Sequence, residues 1–112
     1  MNKPTFQTVS QFIPLLKNQN FKEIEKLILS LSREEQETPV ILNLLGVAKI
    51  QNNSSSIDEA LNFFEQAFKK DNNLIDALYN LCSFSLRTLR FNSNMLYFLN
   101  KHLEKVKFDF KA

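Results

Sequence analysis

The stretch LNLLGVAKIQ, residues 42–51, holds the one glycine of this 112-residue chain. Around it Ile41, Leu42, Leu45 and Ala48 keep helical spacing, and Leu44 and Val47 widen the apolar stripe. A glycine inside a helix costs about 1 kcal/mol relative to alanine, so its position needs a packing reason. LNLLG (42–46) aligns with LYNLC (78–82) at an offset of 36 residues, placing Leu42 on Leu78, Leu45 on Leu81 and Gly46 on Cys82. One step back, Phe6, Val9 and Ser10 take the same three places. Small side chains thus recur at Ser10, Gly46 and Cys82.

A second series keeps the same period. NFKEIEKLILSL (20–31) lies 36 residues before SIDEALNFFEQA (56–67), so that Glu23 meets Glu59, Ile24 meets Ala60, Leu27 meets Phe63 and Ile28 meets Phe64. A further step reaches Leu96, Leu99 and Leu103, in register with Ala60, Phe63 and Ala67. Two interleaved series with one period mark an internal repeat.

Local signals divide each period into two helices. Thr38-Pro39 reads as an N-cap followed by proline at the first helical position. Ser56-Ile57-Asp58-Glu59 is a capping box, and Asn20-Phe21-Lys22-Glu23 resembles it with Asn as the cap. QNNSSS (51–56) and KDNN (70–73) are polar breaks. The pattern predicts six helices, at about 5–17, 21–32, 39–51, 57–70, 75–89 and 94–107. Short links make consecutive helices antiparallel neighbours. The glycine then has a use: Gly46 would face Ala60 where two helices of a hairpin cross closely, and Ala67 would serve the next crossing. Pro14 is expected to kink or shorten the first helix.

Bulk composition agrees with one all-helical domain. The chain is 44% hydrophobic and 23% charged, too apolar for disorder, and one glycine with three prolines is few for the turns of a β protein. Cys82 is the single cysteine, so no internal disulfide forms. MNKPTFQTVSQFIPLL, residues 1–16, has no continuous apolar run of signal-peptide length, and nothing approaches a membrane span of roughly 20 apolar residues. A cytoplasmic protein is the expectation. The net charge is +2, with residues 87–112 the basic end, six basic against two acidic.

Residues 39–74 resemble a tetratricopeptide repeat, a helix–turn–helix unit of 34 residues in its standard form. The resemblance rests on Leu42, Leu45-Gly46 and Ala60-x3-Phe64-x2-Ala67. Weaker copies span 75–110 and 3–38, making three units in a single domain over 1–112. The period here is 36, with two extra residues in QNNSSS, and Asn72 stands where the family's closing proline is expected. In the first unit, matching KNQNF (17–21) to the standard turn would put Phe12 in the small-residue place. The 36-residue phase puts Ser10 there, and Ser10 is preferred because a phenylalanine would hold the helices apart.

The resemblance implies an α-solenoid, a right-handed superhelical stack of three antiparallel hairpins whose first helices line a concave groove for a peptide or extended segment. Groove positions carried over are Val40, Asn43, Val47, Ile50 and Gln51, then Asp76, Tyr79, Ser83, Leu86 and Arg87. Asn43 would bond a peptide backbone, Tyr79 would be an aromatic anchor and Arg87 a charged one. The family's carboxylate-capturing variety is not expected, because its cationic places fall on Val9 or Gln7, Leu44, Asp76 and Asn80. A neutral, partly apolar peptide fits better.

Two further readings stand beside the adaptor. Phe108 and Phe110, alternating with charge at the C-terminal end, could form a self-association surface, or the chain could be part of a longer array attached to a transferase. Nucleic-acid binding has only the basic 87–112 segment in its favour. An enzyme is not expected: one histidine (His102) and one cysteine supply no typical zinc site, and one glycine supplies no phosphate loop or dinucleotide fingerprint. No cofactor or metal is expected. The acidic residues Glu34, Glu35, Glu37, Asp58 and Glu59 suit helix ends.

Overall fold

In a computed structural model of the chain, the described residues are 9–88 and 93–109. They form seven helices and no strand: α1 (Phe12–Lys17), α2 (Phe21–Ser30), α3 (Arg33–Gln36), α4 (Pro39–Asn52), α5 (Ile57–Lys70), α6 (Ile75–Thr88) and α7 (Ser93–Asp109). The long helices begin and end within a few residues of the sequence expectation. The extra element is α3, a single turn where the sequence pattern gave only a link. Ser32 caps it, accepting a hydrogen bond from the Glu35 amide at 3.2 Å and donating to Glu35 Oε1 at 3.2 Å.

Two expected caps work differently. Thr38 precedes α4 with Pro39 in its first turn, but its hydroxyl donates to the Glu35 carbonyl at 2.6 Å instead of capping α4. That bond serves an end carbonyl of α3, an element the N-cap expectation did not include. Asn20 precedes α2 without a side-chain cap, whereas Ser56 does accept from the Glu59 amide at 3.1 Å. At their other ends, α1 and α4 close alike. Gln19 and Asn53 are both left-handed at φ 54°, and the following amides reach back to Leu15 and Lys49. Asparagine tolerates this conformation better than most residues. Pro14 falls in the first turn of α1, and the helical residues 9–10 are separated from α1 by a turn at Gln11. The proline ring clashes with the carbonyl four residues back, that of Ser10, which accounts for the break.

Each long helix packs on its chain neighbour: α1 on α2, α2 on α4, α4 on α5, α5 on α6 and α6 on α7. In addition α4 touches α6, and Phe68 of α5 meets Phe98 of α7 edge-to-face at 5.4 Å. Helix α4 is apolar on two faces because it divides two buried clusters. Ile41, Leu45 and Ala48 pack with Phe12, Ile24 and Ile28, while Leu42 joins Leu61, Phe64, Phe68, Leu78, Leu81 and Phe84. Phe63 touches both.

The 36-residue period governs burial in the middle of the chain. Ile41, Leu42, Leu45 and Ala48 are buried, and so are Ala77, Leu78, Leu81 and Phe84; Ile24 and Ile28 match buried Ala60 and Phe64. Both ends depart by two residues. The left-handed caps Gln19 and Asn53 lie 34 apart, and Phe12, fully buried, takes the place preferred for Ser10, which is half-buried before the break. A phenylalanine is accommodated because α1 is less than two turns long and its ring fills the cluster beneath it. Among the described side chains of α7 the buried ones are Met95 and Phe98, 34 from Leu61 and Phe64, while Leu96 and Leu103 are exposed. Ala60 and Ala67 are completely buried, and leucines are too large for those places.

Candidate binding surface

Gly46 explains how the middle of the molecule is built. A Cβ at this position would lie 2.6 Å from Phe64 Cε1, and its three nearest neighbours are all atoms of that ring. The expectation that Gly46 faces Ala60 is thus corrected: the missing side chain admits an aromatic ring. The Phe64 ring in turn stacks on Phe84 at 5.7 Å and 9°, and the Arg87 guanidinium lies 5.0 Å over the Phe84 ring. A column therefore runs from α4 through α5 and α6 and ends at an exposed cation.

The outward faces of α4 and α6 carry the residues carried over as groove positions. Val40, Gln51, Asp76, Tyr79, Leu86 and Arg87 are exposed; Asn43, Val47, Ile50 and Ser83 are half-buried. Tyr79 is 69% and Leu86 61% exposed, one helical face at i, i+7. Asn80 Nδ2 donates to Asn43 Oδ1 at 2.9 Å, joining α6 to α4. Asn80 was not among the expected binding residues, since it is one place out of the 36-residue phase. Its signal was two asparagines 37 apart on helices expected to lie side by side. The structure brings Asn43 to α6, places Tyr79 and Leu86 on one strip, and fixes Arg87 by its ring contact. Asn43 is thus partly engaged within the protein, with one amide edge left over.

The small residues named from sequence have different surroundings. Ala60 and Ala67 are buried in full and Cys82 is half-buried against the larger cluster. Burial raises the Cys82 thiol above its ordinary pKa, which keeps it protonated and a poor nucleophile. His102 on α7 has a buried Nδ1 without a hydrogen-bond partner. Among the described residues no group of three His, Cys, Asp or Glu could hold a metal ion, and no helix is long and apolar enough to cross a membrane. Phe110 and the side chain of Phe108, expected as a self-association surface, lie outside the described residues.

One polar knot ties α2 to the turn after α4. Glu25 accepts from Asn52 Nδ2 at 2.8 Å, Ser54 Oγ at 2.8 Å and Lys49 Nζ at 3.2 Å, and Asn52 also donates to the Phe21 carbonyl at 2.9 Å. Burial pushes the Glu25 carboxyl up, but the three hydrogen bonds and the Lys49 charge outweigh it and leave the pKa lowered. Glu25, Asn52 and Ser54 also line a shallow hollow of about 360 Å³ with Lys22, Lys26 and Leu29. A hollow of about 610 Å³ lies between α5 and α7, lined by Phe68, Tyr97, Phe98, Lys101 and His102 among others. Nothing in the sequence periodicity marked it. No protein-family model, curated protein or solved structure matches the chain.

Proposed function

We propose that the chain is a tetratricopeptide-like interaction module that holds an extended, largely uncharged peptide across α4 and α6. The observation that carries this reading is the Asn43–Asn80 bond between those helices, with Tyr79 and Leu86 left exposed beside it. Exposed tyrosine and leucine give a peptide apolar area, and the remaining amide edges of the asparagines match a peptide group's donor and acceptor. Arg87, held over Phe84, offers a charge with little ordering cost. The hairpin stack would be a right-handed solenoid. Contacts between successive helices, with α4 against α6 and α5 against α7, support that arrangement. The role is binding, not catalysis.

The test is selection of peptides from a random display library on the full chain, followed by affinity measurement on variants. Tyr79→Ala and Arg87→Glu should each weaken the selected peptides about tenfold with helicity unchanged. Leu29→Ser, on α2 and equally solvent-exposed at 61%, should leave affinity alone. Peptides that bind all three variants like the parent chain would place the site elsewhere.

A further inference from the structure

The hollow between α5 and α7 joins a run of aromatic rings to a rim of charge. Phe68 and Phe98 are 2% and 6% exposed and meet edge-to-face at 5.4 Å, and Tyr97 meets Phe98 edge-to-face at 5.7 Å. Three contiguous rings lining one hollow suit a fourth, held in the offset or T-shaped contacts that such rings prefer. At about 610 Å³ the hollow falls within the roughly 300–1,000 Å³ of small-molecule sites. From these facts and the charges around it we infer that the hollow binds a small aromatic acid, its ring against Phe68, Tyr97 and Phe98 and its anionic group toward Lys69 and Lys101.

Charge selects an acid over a basic aromatic. Lys69, Lys101 and Glu104 line the hollow, two cations against one carboxylate. The Lys101 Nζ lies 5.6 Å over the Tyr97 ring, and among the described residues no ion pair joins it to Glu104, three residues on. Its charge is thus held beside a ring that the ligand would touch. Lys69 lies in the last turn of α5, where it keeps the carbonyl end of that helix from repelling the acid. An acid group between the two lysines is attracted by both, whereas an ammonium would be repelled by both. Asn72 adds a neutral donor and acceptor to the rim. The hollow shares no residue with the strip on α4 and α6, so it stands or falls independently of the peptide groove.

Titration of the isotope-labelled full chain with naphthoate, followed through amide NMR shifts, tests it. Amides of residues 68–72 and 97–104 should move together and saturate. The matching cation, naphthylmethylammonium, should bind about tenfold more weakly. The double variant Lys69→Glu/Lys101→Glu should reverse that order with unchanged helicity, because both side chains are exposed. Tyr97→Ser should weaken naphthoate about threefold to tenfold. No movement in those segments at millimolar naphthoate overturns the inference, as does equal binding of the two probes or an order that survives the double variant. A Phe108→Ser/Phe110→Ser chain that binds naphthoate where the parent does not would assign the hollow to the chain's own C-terminal end and overturn it as well.

Discussion

The middle and the two ends of this molecule obey different rules. Helices α4, α5 and α6 each pack against more than one helix, and the buried run Ile41, Leu42, Leu45 and Ala48 of α4 recurs 36 residues on at Ala77, Leu78, Leu81 and Phe84 of α6. In α1 and α7 the described buried side chains, Phe12, Met95 and Phe98, sit two places away from the repeat. Where a helix is enclosed, undersized residues decide the fit: Gly46 admits the Phe64 ring, and Ala60 and Ala67 lie completely buried. In α1 and α7 large side chains take the buried places instead, Phe12 in α1 and Met95 with Phe98 in α7. Repetition in a sequence is thus a statement about packing partners, and it is kept where those partners repeat.

The largest effect should come from removing the central ring. Phe64→Ala deletes a fully buried side chain that touches Gly46 and stacks on Phe84, and should cost about 3–5 kcal/mol in urea unfolding. A milder preparation loss, with the midpoint barely moved, would mean the column does not organise the core. The slip on α7 can be tested by a pair of substitutions. Met95→Ala should cost about 2–5 kcal/mol and Leu96→Ala no more than about 0.5 kcal/mol; the reverse order would restore the 36-residue phase to α7. The Glu25 knot should appear as a pH dependence. Because its folded pKa is lowered, its contribution is complete above the ordinary value of 4.5 and is lost as pH falls through the lowered value. Thermal unfolding of Glu25→Gln should lose part of the parent's decline in that acid window, and an unchanged decline would assign the acid sensitivity to other carboxylates. Smallest of all, Leu86→Ser on the exposed strip should shift stability by at most about 0.5 kcal/mol, since the residue serves the surface and not the core.

Much of the fold was legible because spacing and caps report local structure. Ser56, Pro39 and the polar runs at 51–56 and 70–73 set the helix ends, and the recurrence of Leu42 at Leu78 paired the first helices of successive units. The single turn α3 was legible too, in Ser32 and Glu35 three residues apart, but Ser32 was read as the end of the helix 21–32 and the residues after it as a link. What sequence spacing could not carry was the identity of the neighbour. Gly46 signals a close approach, yet a glycine gives no sign of whether a backbone or the Phe64 ring fills the room. Likewise the Asn43–Asn80 bond depends on how far α6 is displaced along α4, which a period of 36 leaves open by one residue. Exposure at Tyr79 and Leu86 follows from helical phase, and for that reason those positions were readable while the asparagine pair was not.

The most direct measurement is the unfolding free energy of Gly46→Ala, alone and combined with Phe64→Leu. Alanine improves helix propensity by about 1 kcal/mol, yet its methyl would meet a stiff, buried ring at 2.6 Å. The single variant should therefore be less stable than the parent by about 1–3 kcal/mol. Combined with Phe64→Leu, the penalty of the alanine should shrink, as expected for two residues in contact. A Gly46→Ala chain as stable as the parent or more so, with no coupling to position 64, would contradict the packing on which the account is built.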